Sequence, residues 1–97
     1  MIFSFENTVT EDVFNRRNTK AARKTCAKEL WNIAARKLDQ IDSAENLQDL
    51  RIPPVNRLKL LSGDRKRQYS IRINEQNRIY FQWSDQEPTE VEFADYH

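Results

Sequence analysis

The sequence predicts an α+β fold in two layers, with an N-terminal strand and helices packed on a C-terminal antiparallel sheet. Three observations predict it. Ala27, Leu30, Trp31, Ala34, Leu38 and Ile41 recur at intervals of three and four, the spacing of one helix face. Pro53 and Pro54 then stop helical structure, because proline lacks the backbone donor and biases its predecessor to extended geometry. Beyond them the chain alternates apolar and polar residues, the period of a half-buried strand. At 97 residues, 38% hydrophobic and 10% aromatic, the chain suits one domain over residues 1–97 with a single core.

In chain order, "MIFSF" has the β-branched and aromatic content of a short opening strand. "TVTEDVF" follows as a short helix, with Thr8 and Glu11 at capping-box spacing. The main amphipathic helix is expected from about Thr19 to Ile41, and Ser43 can cap one more turn through "AENLQDL" before "RIPPVN" ends the helices. The strands are then "RLKLLS", "RQYSIRIN", "RIYFQWS" and "VEFADYH", separated by "GDRK", "EQN" and "DQEPTE". Alternation places Tyr69, Ile71, Ile73, Ile79, Phe81, Trp83, Val91 and Phe93 toward the helices. The opposite face carries Ser70, Arg72, Arg78, Tyr80, Gln82, Glu92, Ala94 and Tyr96.

Composition excludes several chemistries. Gly63 is the sole glycine, so a glycine-rich phosphate loop is ruled out. One cysteine and one histidine cannot supply the usual zinc sets, and no metal or cofactor is expected. Cys26, on an alanine-rich helix, suits a small buried residue better than a nucleophile. A single cysteine also forms no internal disulfide, which fits a reducing compartment. "MIFSFENTVTED" turns acidic too soon for a secretory signal, and no apolar run is long enough for a bilayer, so a cytoplasmic protein without membrane contact is expected.

The formal net charge is +1, but the charges are sorted along the chain. Arg16, Arg17, Lys20, Arg23, Lys24 and Lys28 form a block without an acid. Arg51, Arg57, Lys59, Arg65, Lys66, Arg67, Arg72 and Arg78 face only Asp64 and Glu75 within their span. After Arg78 the charged residues are all acids: Asp85, Glu87, Glu90, Glu92 and Asp95. Basic blocks of this kind suit phosphate, although a solvated helix face accounts equally well for the first. On the outer sheet face, Arg72, Arg78, Tyr80 and Tyr96 are the residue types of an RNA-reading surface, with cations for phosphate and rings for stacking. Metal-independent RNA cleavage by the 2′-hydroxyl needs a base, an acid and cations on the phosphorus oxygens, and Asp95, His97 and Arg78 are of the right types.

Across "RLKLLSGDRKRQYSIRINEQNRIYFQW" and the closing "DYH", the sequence resembles the HigB-type toxins of the RelE/ParE superfamily of bacterial toxin–antitoxin systems. The resemblance implies a RelE-like microbial RNase fold and a ribosome-dependent endoribonuclease that cuts mRNA in the decoding site of the 70S ribosome. It also implies a helix-turn-helix, HigA-type antitoxin, through which the toxin contacts operator DNA indirectly. By resemblance, Arg78 contacts the scissile phosphate, and Asp95, Tyr96 and His97 match the catalytic C-terminal triplet. Lys59 stands where the family commonly has histidine and Ser62 where it has lysine, so Arg65, Lys66 or Arg67 would have to supply the missing loop cation. Arg72 and Tyr80 complete the expected RNA-binding set. A non-cleaving inhibitor of the same fold and a ParE-like gyrase inhibitor are the alternatives, the latter disfavoured by the DYH ending.

Overall fold

Asn7 opens the first helix, α1 (Thr8–Phe14): its side-chain oxygen accepts from the Thr10 N–H at 2.9 Å. The expected cap at Thr8 is thus displaced by one residue, onto a better capping side chain. The far end closes with Arg17 N donating to Asp12 O at 2.8 Å and Arg16 N to Val13 O at 3.1 Å, the paired bonds of a Schellman motif. Arg16 takes the left-handed position (φ 59°) that glycine usually fills there. These coordinates are a computed structural model, which describes residues 1–52, 54–61 and 67–95.

The expected long helix is two helices, α2 (Lys20–Thr25) and α3 (Trp31–Ser43), with a 3₁₀ turn at Lys28–Leu30 between them. Thr19 caps α2 through Ala22 N at 3.1 Å. Cys26 and Ala27 then leave helical geometry, with ψ of 110° and 144°. The break has no glycine or proline to announce it, and tertiary bonding supports it instead. The indole N–H of Trp31 donates to the carbonyl of Cys26 at 2.8 Å. Cys26, Ala34, Leu38 and Ile41 are buried, whereas Ala27, expected on the same face, is exposed because it lies in the break. Asn46, rather than Ser43, caps the following 3₁₀ turn (Leu47–Leu50), in a capping box with Asp49. A further 3₁₀ turn at Pro54–Asn56 continues helical geometry past the point where it was expected to stop.

Among the described residues one antiparallel sheet is formed by β1 (Lys59–Leu60), β2 (Tyr69–Arg72), β3 (Asn77–Ser84) and β4 (Glu87–Asp95), in chain order. The inner face is as expected: Ile71, Ile79, Phe81, Val91 and Phe93 are buried in the core with Leu38, Ile41 and Val13 from the helices. Tyr69 and Phe81 stack with centroids 6.0 Å apart. The layers therefore close over one shared apolar core, as an amphipathic helix and a one-sided sheet require.

Two features of the sheet depart from the sequence expectation. The 85–90 segment is no loop: Asp85 and Gln86, with φ of 51° and 70°, make a two-residue turn, and Glu87 already pairs with Ser84. Such a turn normally shows itself as Asn-Gly, and Pro88 disguises the strand. Between Tyr80 and Gln82 the register on β4 passes from Glu92 to Thr89, one residue too many, and Glu90 takes φ 51° at this bulge. The opening strand is likewise reduced. Phe5 and Val91 form an isolated parallel bridge, with Phe3 N donating to Pro88 O (2.8 Å) and Glu6 N to Val91 O (3.0 Å).

Candidate active site

The outer face of the sheet is built by cross-strand register. Lys59 lies opposite Ser70, Ser70 opposite Tyr80, and Tyr80 opposite Glu92, so one row crosses all four strands. The adjacent row is Arg72 opposite Arg78, with Ala94 on the far side of Arg78. Asp95 follows immediately, its backbone opposite Asn77. Antiparallel partners share a face, so two guanidinium-bearing residues sit side by side.

Arg78 is half-buried, and its Nη1 donates to the Ser70 hydroxyl at 3.1 Å. Ser70 is fully buried on the face that alternation assigns to solvent. Its side chain fixes one end of the guanidinium fork across the β2–β3 ladder, so its place on this face was read but its anchoring of Arg78 was not. Tyr80 departs more strongly from expectation: it is 2% exposed, so its ring is buried rather than displayed for stacking on a base. Lys59 is exposed on β1, Arg72 is half-buried on β2, and Arg67 is exposed with φ 71° just before β2. Arg65, Lys66, Tyr96 and His97, together with Ser62, lie outside the described residues.

A contribution that residue patterning did not expose comes from α1. Thr10 is fully buried, and its hydroxyl oxygen accepts from the backbone N–H of Phe93 at 3.0 Å while the hydroxyl donates to Asn7 Oδ1 at 2.8 Å. The helix cap thereby holds β4 two residues before Asp95. At the other margin Asn56, also fully buried, gives its amide to Gln40 Oε1 (3.1 Å) and Leu50 O (3.2 Å) and accepts from the Lys37 ammonium. This bonding fixes the segment three residues before Lys59. Desolvation, and secondarily the charge of Arg36, lowers the Lys37 pKa.

Among the described residues no cluster of three or more histidine, cysteine, aspartate or glutamate side chains could hold a metal ion. No helix among them is long and apolar enough to cross a membrane. The described part of the outer face therefore offers paired arginines and a lysine, with Glu92 at the β4 end of the Lys59–Ser70–Tyr80 row.

Comparison with known proteins gives the chain its family. Residues 3–97 match the model of HigB-like toxins, described as RelE-like toxins of type II toxin–antitoxin systems. The chain is 50% identical over 54 residues to Toxin HigB-1 of Vibrio cholerae, a match covering 56% of this chain and 57% of that protein. It is 45% identical over 58 residues to an uncharacterized protein of Haemophilus influenzae, covering 60% and 57%. The chain thus spans a little over half the length of these curated relatives. In structure it resembles a chain of the YoeB–YefM complex from Staphylococcus aureus, with a TM-score of 0.57 at 20% identity over 100% of this chain and 98% of that one. That likeness concerns the fold, which is α+β in both.

Proposed function

The chain belongs to the HigB-like family of RelE-like type II toxins, and from that membership we propose that it is a cytoplasmic, metal-independent endoribonuclease that cuts mRNA on the translating ribosome. Its whole span, residues 1–97, acts in this reading as one toxin domain. The observation that carries the reading is the Arg72–Arg78 cross-strand pair on the outer face of the sheet.

In the proposed reaction the 2′-hydroxyl of one nucleotide attacks its neighbouring phosphorus. The O2′–P bond forms and the P–O5′ bond breaks, leaving a 2′,3′-cyclic phosphate and a 5′-hydroxyl. Asp95 takes the 2′-hydroxyl proton and His97 delivers one to the departing O5′. Arg78, aided by Lys59 and Arg72, stabilises charge on the non-bridging oxygens as it builds. Tyr96 positions a base, a role Tyr80 does not share because its ring is buried. Arg65, Lys66 and Arg67 contact RNA backbone.

A net charge of only +1 gives weak long-range attraction to a polyanion, so the ribosome must present the message. The partner is a helix-turn-helix antitoxin of the HigA type, through which operator DNA is contacted indirectly. Primer extension on one mRNA, naked and in a translating extract, tests the reading: cleavage is expected only with ribosomes. Equal cutting of both rejects ribosome dependence. Ser62, at a position where the family commonly has lysine, removes a loop cation and favours one second reading, occupation of the decoding site without cleavage, and arrested ribosomes on intact mRNA would establish it.

His97→Lys separates proton donation from charge. A histidine ordinarily titrates near pH 6.5 and a lysine near 10.4, so the lysine variant keeps a cation but not an acid poised for neutral pH. A drop in cleavage of roughly 10²-fold or more is expected. An unchanged rate assigns His97 to phosphate binding.

A further inference from the structure

On the helical layer, away from the outer face of the sheet, two adjoining concavities of about 410 and 430 Å³ share Arg16, Trp31 and Asn32. Asn18, Arg23 and Lys28 complete one, and Ala35 and Arg36 the other. Four cations line this groove, and among the described residues no carboxylate does. We propose that the groove is the docking site for an acidic segment of the antitoxin, with carboxylates on Arg23, Lys28 and Arg36 and one apolar side chain against Trp31. The inference rests on the antitoxin partnership proposed above and names the surface that serves it.

Two of the cations are held before any partner arrives. Arg16 keeps a left-handed backbone at the end of α1, and its guanidinium forks onto Asp39 of α3 at 3.1 and 2.7 Å. This bidentate pairing, with a further bond from Nη1 to Phe14 O at 2.8 Å, satisfies Arg16 within the fold, so it frames the groove while Arg23, Lys28 and Arg36 are the cations offered to a ligand. Arg23 donates to both oxygens of Asn18, backbone at 2.9 Å and side chain at 2.8 Å. Ordered guanidinium groups lose little freedom on binding, which favours a short, weakly charged ligand. Trp31 has given its one donor to Cys26 O, so what it offers the groove is carbon surface. Carboxylates flanking an apolar anchor match this combination.

A nucleic acid matches it less well. The groove belongs to the helical layer, whereas the arginine pair assigned to RNA lies on the outer sheet face, so a strand bound there does not continue into the groove. The small net charge also gives a long polyanion little general attraction, while the local cluster of Arg23, Lys28 and Arg36 suffices for a short acidic stretch.

The test uses the full chain co-expressed with its antitoxin, and Arg23→Glu/Lys28→Glu, two exposed positions checked for folding by circular dichroism. The unaltered chain is expected to co-elute with the antitoxin on size exclusion, and the double variant to separate from it. Co-elution of the folded variant overturns the proposal. A synthetic acidic peptide carrying leucine at helical spacing, titrated into ¹⁵N-labelled protein, should move the Trp31 indole resonance and amides of residues 16–36 while leaving the Trp83 indole in place. No shift at Trp31, or a shift centred on the sheet, overturns it. An oligouridylate that moves the same resonances at lower concentration makes the groove a nucleic-acid surface instead. None of these measurements involves cleavage, so loss of the nuclease reading and loss of this one are separately visible.

Discussion

Two buried side chains show how single residues set the site's surroundings. The Thr10 hydroxyl is the acceptor for Phe93 N, and without it that buried donor has no replacement from α1. Thr10→Val keeps the shape and removes the acceptor, which should cost about 1–3 kcal/mol of stability by urea titration, while Thr10→Ser should restore most of it. Equal stability of the valine variant would mean that the bond contributes nothing net. Cys26 behaves in the opposite way, as an apolar filler: burial pushes its thiol from an ordinary 9.0 up to about 11. Folding therefore favours the protonated thiol. The resulting stabilisation is complete below the unfolded value near 9 and is lost as pH rises through about 11. Cys26→Ala should flatten that alkaline decline in the melting temperature, and Ellman's reagent should reach the native thiol only on unfolding.

At the scale of elements, the strands and the inner face were legible because alternation is a two-residue signal that burial enforces at Ile71, Ile79, Phe81, Val91 and Phe93. The breaks were not. The helix interruption at Cys26–Ala27 is stabilised by the Trp31 indole, a tertiary bond without sequence periodicity, and the β3–β4 turn uses Asp85-Gln86 where Asn-Gly would have announced it. The same limit holds at the site. Alternation placed Arg72 and Arg78 on the outer face, but it could not foresee that Tyr80 on that face is buried, since burial there depends on what neighbouring strands and segments bring over the ring. The turn offers a direct check. Both central residues hold positive φ without being glycine, a conformation that costs an ordinary residue roughly 1–2 kcal/mol. Asp85→Asn with Gln86→Gly suits the left-handed geometry and should stabilise the protein by on the order of 1 kcal/mol in equilibrium unfolding. Destabilisation would mean that the Asp85 or Gln86 side chain contributes more than the strain removed.

Across the whole molecule the two faces of the sheet divide the labour. The inner face and the helices hold the core, and the outer face carries the cations, so stability and activity should respond to different substitutions. Leu38 is fully buried between the layers, and truncation to alanine leaves a cavity that should cost about 2–5 kcal/mol. Arg78, one strand surface away, contributes a hydrogen bond to Ser70 and charge to the outer face. Removing it should cost less folding stability than truncating Leu38. Yet if Arg78 stabilises the transition state as proposed, Arg78→Ala should lower ribosome-dependent cleavage by roughly 10²- to 10³-fold, as loss of one oxyanion donor does. Arg78→Lys keeps the charge but not the fork that spans Ser70 and a phosphate oxygen, so it should recover folding fully and cleavage in part. Circular dichroism and urea titration of all three variants, beside primer extension on ribosome-bound mRNA, separate the two demands. An Arg78→Ala protein that unfolds as readily as Leu38→Ala would make the arginine a structural element of the sheet and would withdraw the outer face as the cleavage surface.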